Sequence, residues 1–133
     1  MKVMLDTNIC IYIIKERPRS VLERFRAFQV GDIGISTITL AELQYGAVKS
    51  GRPRQNREAL KGFVAPLDVV SFDGAASEAY GEIRTALEKS GRPIGGMDLL
   101  IAAHARSLDV SLVTNNEREF KRVRGLRVEN WIR

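Results

Sequence analysis

The stretch Val3-Met4-Leu5-Asp6-Thr7-Asn8-Ile9-Cys10-Ile11-Tyr12-Ile13-Ile14-Lys15 sets the pattern of the chain. Three apolar residues, enough for a short strand, stop at an aspartate. The segment from Thr7 or Asn8 to Lys15 then reads as a helix, which Pro18 brings to an end. The same alternation recurs outward from there. Val21, Leu22, Phe25 and Phe28 fall at helical spacing, Ile33-Gly34-Ile35-Ser36 is a strand candidate, and Thr39-Leu40-Ala41-Glu42 has the S/T-x-x-E form of a capping box opening a helix that ends near Gly51 and Pro53. Residues 67–72 read as a third strand. Asp73 is placed to cap a helix whose Ala76, Ala79, Tyr80, Ile83 and Leu87 form one stripe before Gly91. Residues 97–108 are apolar on nearly every side and predict a buried helix with Asp98 in its first turn. Residues 111–114 read as a strand, 117–122 as a short helix and 126–128 as a last strand. Strands separated by helices require right-handed crossovers, hence a parallel sheet covered on both faces. The expected architecture is an α/β three-layer α/β/α sandwich around a central parallel sheet.

Composition bounds the rest. A chain of 133 residues has the size of one domain, expected to span 1–133, and needs no disulfide or structural metal to build its core. Its single cysteine, Cys10, sits in an apolar run and reads as a packed small hydrophobe. That run, residues 9–14, is far shorter than the ~20 residues that cross a bilayer. Asp6 interrupts the place where a signal-peptide apolar region would lie, so no membrane association is expected and the cytoplasm is the default address. Lys and Arg number 21 against 16 Asp and Glu, a net charge of +5 that favours a polyanionic partner. Nine of the basic residues lie between Lys15 and Arg57, Lys49, Arg52 and Arg54 among them.

In an open parallel sheet, ligands bind beyond the carboxyl ends of the strands. Asp6 ends the first strand, Glu42 lies early in the helix after the second, and Asp98 lies in the first turn of the buried helix. Asn116 and Glu119 follow the strand that ends at Thr114. Each also has a purely structural explanation. Asp6 can cap a helix, Glu42 can complete a capping box, and Asp98 can complement a helix dipole. Oxygen donors gathered without histidine or cysteine suit a hard cation, Mg²⁺ or Mn²⁺, better than zinc. His104, the only histidine, stands six residues beyond Asp98 and reads as structural. No G-x-S-x-G elbow, P-loop or G-x-G-x-x-G is present.

Four blocks together carry a family resemblance: Met4-Leu5-Asp6-Thr7-Asn8, the S-x-I-T-x-A-E-L of residues 36–43, the G-x-x-D-x-x-I-A-A-H-A of residues 95–105, and the L-V-T-N-N-E-R-E-F of residues 112–120. In order and spacing they resemble the PIN-domain ribonucleases, and in particular the VapC toxins of bacterial type II toxin–antitoxin modules. The resemblance implies a Mg²⁺- or Mn²⁺-dependent endoribonuclease in which Asp6, Glu42 and Asp98 hold the metal, supported by Thr7, Asn8 and Thr114. PIN domains often carry a fourth acid where this chain has Asn116, and Glu119 is the candidate to replace it through a bridging water. The resemblance further implies RNA as substrate, transfer RNA above all, a homodimer, a VapB-type antitoxin, and operator DNA bound only by the toxin–antitoxin complex. Lys49, Arg52 and Arg54 are the basic residues expected to hold flanking phosphates. Two rivals remain: a metal-dependent DNA nuclease related to the flap nucleases, and a non-catalytic receiver-like α/β module. Thr114-Asn115-Asn116 lacks the lysine that a receiver carries after its last strand.

Overall fold

Successive residues of the central strands part to opposite sides. Val3 and Leu5 enter one core and Met4 the other, while Val113 and its neighbour Leu112 divide in the same way. This two-residue alternation in a run without polar side chains is what a sheet covered on both faces demands. The computed structural model describes residues 1–132. Its strands are β1 (Val3–Leu5), β2 (Ile33–Ser36), β3 (Asp68–Val70), β4 (Ser111–Val113) and β5 (Val128–Glu129). They are parallel throughout, in the order β3-β2-β1-β4-β5. The helices are α1 (Thr7–Ile14), α2 (Arg19–Arg26), α3 (Thr37–Lys49), α4 (Pro53–Val64), α5 (Gly74–Lys89), α6 (Gly96–Leu108) and α7 (Glu117–Phe120).

One core gathers Ile9, Cys10 and Ile13 of α1, Val21 of α2, Leu43 of α3, Leu60 of α4 and the fully buried Trp131, on which the Phe28 ring stacks at 5.5 Å. The other gathers Ala79, Ile83 and Leu87 of α5, Leu99 and 101–103 of α6, and Phe120 of α7. These two apolar layers make the α/β/α sandwich, and Cys10 is a core residue.

The chain steps from β1 to β2 to β3 in one direction and then returns to lay β4 on the other side of β1. That reversal opens a crevice at the carboxyl ends of β1 and β4. Register pairs Leu5 with Val113, and the Asp6 N–H donates to the Val113 carbonyl at 3.0 Å, so Asp6 and Thr114 leave the sheet side by side.

Three local features differ from the sequence expectation. Helix α3 starts directly from β2, because Ser36 has extended backbone and its hydroxyl accepts from the Ile38 N–H at 3.0 Å; Thr39 therefore lies inside the helix and forms no capping box. Residues 53–64 form α4, a helix with Leu60 as its one fully buried side chain and Pro53 at its start rather than at the end of its predecessor. The last strand is Val128–Glu129, displaced from 126–128. Among the described residues no helix is long and apolar enough to cross a membrane.

Candidate active site

Asp6 is 3% exposed. Its backbone is still extended where β1 ends, and its side chain turns back to cap α1, accepting from the Ile9 N–H at 3.0 Å. The Thr114 hydroxyl also donates to it. Burial nevertheless dominates, raising the pKa from the ordinary 3.8 to about 6 against the pull of those two bonds, and the charges of Asp98 and Glu42 push the same way. Among the described residues no cationic side chain is an influence on Asp6.

Asp98 is the third residue of α6 and is half-buried. Loss of hydration raises its pKa first, and the charges of Glu119 and Glu42 raise it further, while a hydrogen bond from the Asn116 side chain opposes them. Asn116 also donates its amide to Glu119 at 3.1 Å, and its backbone N–H donates to the Thr114 hydroxyl at 2.9 Å. Asn116 thus caps nothing with its side chain and bridges two acids instead. Glu42, inside α3, accepts from the Thr7 hydroxyl at 2.6 Å. That bond spans 35 residues, so the carboxylate is held by α1 and not by a local capping box. Thr7 therefore serves Glu42, Asp6 is served by Thr114 and the Ile9 amide, and Asn8 is exposed.

Asp6, Glu42 and Asp98 thus converge at the reversal point within electrostatic reach, and Glu119 joins them through Asp98. Among the described residues no three acidic, histidine or cysteine side chains form a preformed metal cage. An all-oxygen set at this looser spacing fits a cation such as Mg²⁺, which keeps several of its own waters. His104 is apart from them: it is fully buried, bonded through Nδ1 to the Ser36 Oγ at 2.7 Å and set edge-on to Phe72. Lys49, Arg52 and Arg54 are exposed at the α3–α4 tip, with the Lys49 ammonium 4.7 Å from the Tyr45 ring centre.

Glu42 borders a cavity of about 300 Å³ between α1, α3 and α4, and none of Lys49, Arg52 and Arg54 reaches it. A larger groove of about 670 Å³ along α3 and α4, floored by Leu40, Val48, Leu60 and Val64, contains none of the four carboxylates.

Residues 3–126 match the model of the PIN domain family. The chain is 53% identical to the tRNA(fMet)-specific endonuclease VapC of Shigella flexneri over 98% of each protein. It is a VapC-family PIN domain. Ribonuclease VapC2 of Haemophilus influenzae is 46% identical over 99% of each. Among solved structures, VapBC2 from Rickettsia felis bound to a DNA fragment from its promoter superposes with a TM-score of 0.91 at 45% identity, covering 98% of this chain and 99% of that one. DNA-bound VapBC from Salmonella typhimurium gives 0.93 at 45% identity, with 98% of each chain covered. In this PIN domain the residues that the sequence did not single out are Tyr12, whose hydroxyl accepts from the Asn115 amide at 2.9 Å, and Lys15, which borders the same cavity as Glu42. The one signal for them was the polar interruption of an apolar helix, which is too common to identify a site.

Proposed function

We propose that this chain, as one PIN domain over 1–133, is a divalent-metal-dependent endoribonuclease toxin acting in the cytoplasm. The observation that carries the proposal is Asp6: a buried carboxylate at the end of β1, its pKa raised to about 6, with the charges of Asp98 and Glu42 near it and, among the described residues, no cation among its influences. Asp6, Glu42 and Asp98 would hold Mg²⁺ or Mn²⁺, with Glu119 reaching it through a water. The bound cation supplies polarisation of the scissile phosphate and a lowered pKa for the attacking water. Around it the protein does the positioning. Thr114 and the Ile9 amide fix one oxygen set of Asp6, Thr7 fixes Glu42, and Asn116 spaces Asp98 from Glu119. The gathered carboxylates would repel the phosphate backbone, and a cation held by them would relieve that repulsion.

The substrate class is RNA, and the initiator transfer RNA named for the relatives of Shigella flexneri and Salmonella typhimurium is the first candidate. A VapB-type antitoxin neutralises the toxin, and the pair binds operator DNA only as a complex, in line with the promoter-bound VapBC structures. The toxin half is a homodimer.

Purified protein incubated with transfer RNA, single-stranded DNA and duplex DNA, with Mg²⁺ and with chelator, tests this directly. Cleavage confined to RNA plus Mg²⁺ is the expected result. Asp98→Asn keeps the side-chain shape and removes the charge, so it should abolish cleavage while circular dichroism and RNA binding stay unchanged. Full activity of Asp98→Asn, or cleavage undiminished by chelator, would sink the assignment.

A further inference from the structure

We infer that Tyr12, Lys15 and Arg17 form the track along which a single-stranded segment of RNA reaches the carboxylates. The inference rests on the ribonuclease function proposed above and adds to it the surface that holds the nucleotides beside the cleaved bond.

The cavity of about 300 Å³ bordered by Glu42 shares Ile11 and Lys15 with a second one of about 370 Å³, lined also by Tyr12, Arg17 and Pro18. The two adjoin along the Ile11–Lys15 edge of α1, one reaching Glu42 and the other the turn after the helix. Lys15 and Arg17 are exposed, and among the described residues neither is paired with a carboxylate. The next arginines along the chain behave differently: Arg19 is tied to Glu23 at 3.3 Å and Arg24 to Glu129 at 3.5 Å. Two free cations in cavities that adjoin a candidate phosphodiester-cleaving site are placed to receive phosphates.

Tyr12 supplies what a phosphate track lacks. Its ring is half-buried in the wall of the second cavity, and its hydroxyl is pinned by the Asn115 amide, from the same loop that presents Asn116 and Glu119. A fixed aromatic face beside cations is the usual platform for an unstacked base. The turn that follows brings Arg17 back alongside it. Glu16 adopts the left-handed conformation with φ 58, and the Arg17 N–H donates to the Tyr12 carbonyl at 3.0 Å, so the chain folds over the end of α1. A base inside this cavity must leave its stack, which a loop permits and a continuous duplex does not.

The test uses the full chain in the Asp98→Asn background, which blocks cleavage, with a fluorescent RNA stem-loop followed by anisotropy across a salt series. Lys15→Gln/Arg17→Gln should weaken binding about tenfold at low salt and reduce the slope of log affinity against log salt by about one to two. Tyr12→Leu should weaken binding by about fivefold or more and leave the salt slope unchanged. Tyr12→Phe keeps the ring but loses the bond from Asn115 that fixes it, and should bind between the parent and Tyr12→Leu. Circular dichroism of Tyr12→Leu itself excludes misfolding as the cause of its weaker binding. A duplex of the same sequence should bind more weakly than the stem-loop and respond little to Tyr12→Leu. Parental affinity in both the double variant and Tyr12→Leu overturns the track while leaving the ribonuclease function standing. Unchanged RNA binding with loss of antitoxin binding also overturns it, assigning the surface to a protein partner. Failure of the parent itself to bind any RNA would instead remove the function on which the track rests.

Discussion

If Asp6 holds the metal as proposed, stability and activity oppose each other there, and the sign follows from its pKa. The folded-state value near 6 lies above the 3.8 of an unperturbed carboxyl, so between those values the native state binds more protons than the unfolded one. Stability from this group is complete below 3.8 and is lost as pH rises through about 6. Above that, the ionised and buried carboxylate destabilises the metal-free fold by roughly 3 kcal/mol, an order-of-magnitude figure from the size of the shift. Asp6→Asn keeps an oxygen for the Ile9 N–H and the Thr114 hydroxyl but cannot ionise. In chelator at pH 8 it should therefore be more stable than the parent by up to about 3 kcal/mol, and the difference should fade toward pH 4. It should also be inactive, and Mg²⁺ should stabilise the parent much more than the variant. Denaturant melts of both proteins at the two pH values, with and without Mg²⁺, check all of this. An Asp6→Asn protein less stable than the parent at pH 8 without metal would mean that the buried charge is compensated by groups outside this account.

Each carboxylate is aimed by the element that carries it. Ser36 does two things at the start of α3: it caps the Ile38 N–H, and it bonds the Nδ1 of the buried His104 in α6. Asp73 at the start of α5 caps without bonding His104, accepting from the Ala76 N–H at 3.0 Å beside the exposed bond from Ser77 to its carbonyl, and reaches the imidazole only by its charge. Asp73→Ala should cost about 1 kcal/mol, the ordinary loss of a cap. Ser36→Ala should cost about 2–3 kcal/mol, because it also leaves a buried imidazole nitrogen without a partner beside Nε2, which already has none. Equal losses in urea melts of the two variants would show that the imidazole bond contributes nothing. What was legible in the sequence follows the same division. Strands such as residues 3–5 and 111–113 and the largely apolar α6 declare themselves, because burial on most sides leaves few polar residues to mislead the eye. Helix α4 did not: its Arg52-Pro53-Arg54-Gln55-Asn56-Arg57 opening is solvated, and its proline, read as a stop, occupies the first helical turn where a missing N–H costs nothing. Likewise Thr39 and Glu42 have the spacing of a capping box, and only the tertiary bond from Thr7 shows that Glu42 is engaged elsewhere. Asp6, Glu42 and Glu119 could be named in advance because they follow β1, β2 and β4, and Asp98 because it is the one acid in a largely apolar helix. The partner of each acid could not, since Thr114 and Asn116 reach theirs only through the strand order.

Over the whole molecule, the chain carries +5 while its reversal point gathers acids, so attraction and chemistry are spatially separated. Positive charge spread over the surface speeds encounter with RNA, whereas the carboxylate crevice repels phosphate locally until a cation occupies it. Arg52 and Arg54 are exposed at the α3–α4 tip and line neither of the cavities on α1, a position that suits attraction of RNA at a distance better than contact with the reacting bond. Replacing both by glutamate removes two charges at each exchange, taking the net charge from +5 to +1 without touching a buried side chain. Association with RNA should then slow by about tenfold at low ionic strength and converge on the parent rate as the Debye length shrinks to about 3 Å near 1 M salt. Single-turnover cleavage of RNA bound at saturating enzyme should be unchanged, because the scissile phosphate is handled by the crevice. Stopped-flow association at several salt concentrations, paired with single-turnover cleavage, separates the two. A fall in the single-turnover rate that persists at high salt would place the α3–α4 tip in contact with the reacting segment of RNA, and the division between a steering surface and a cleaving crevice would fail.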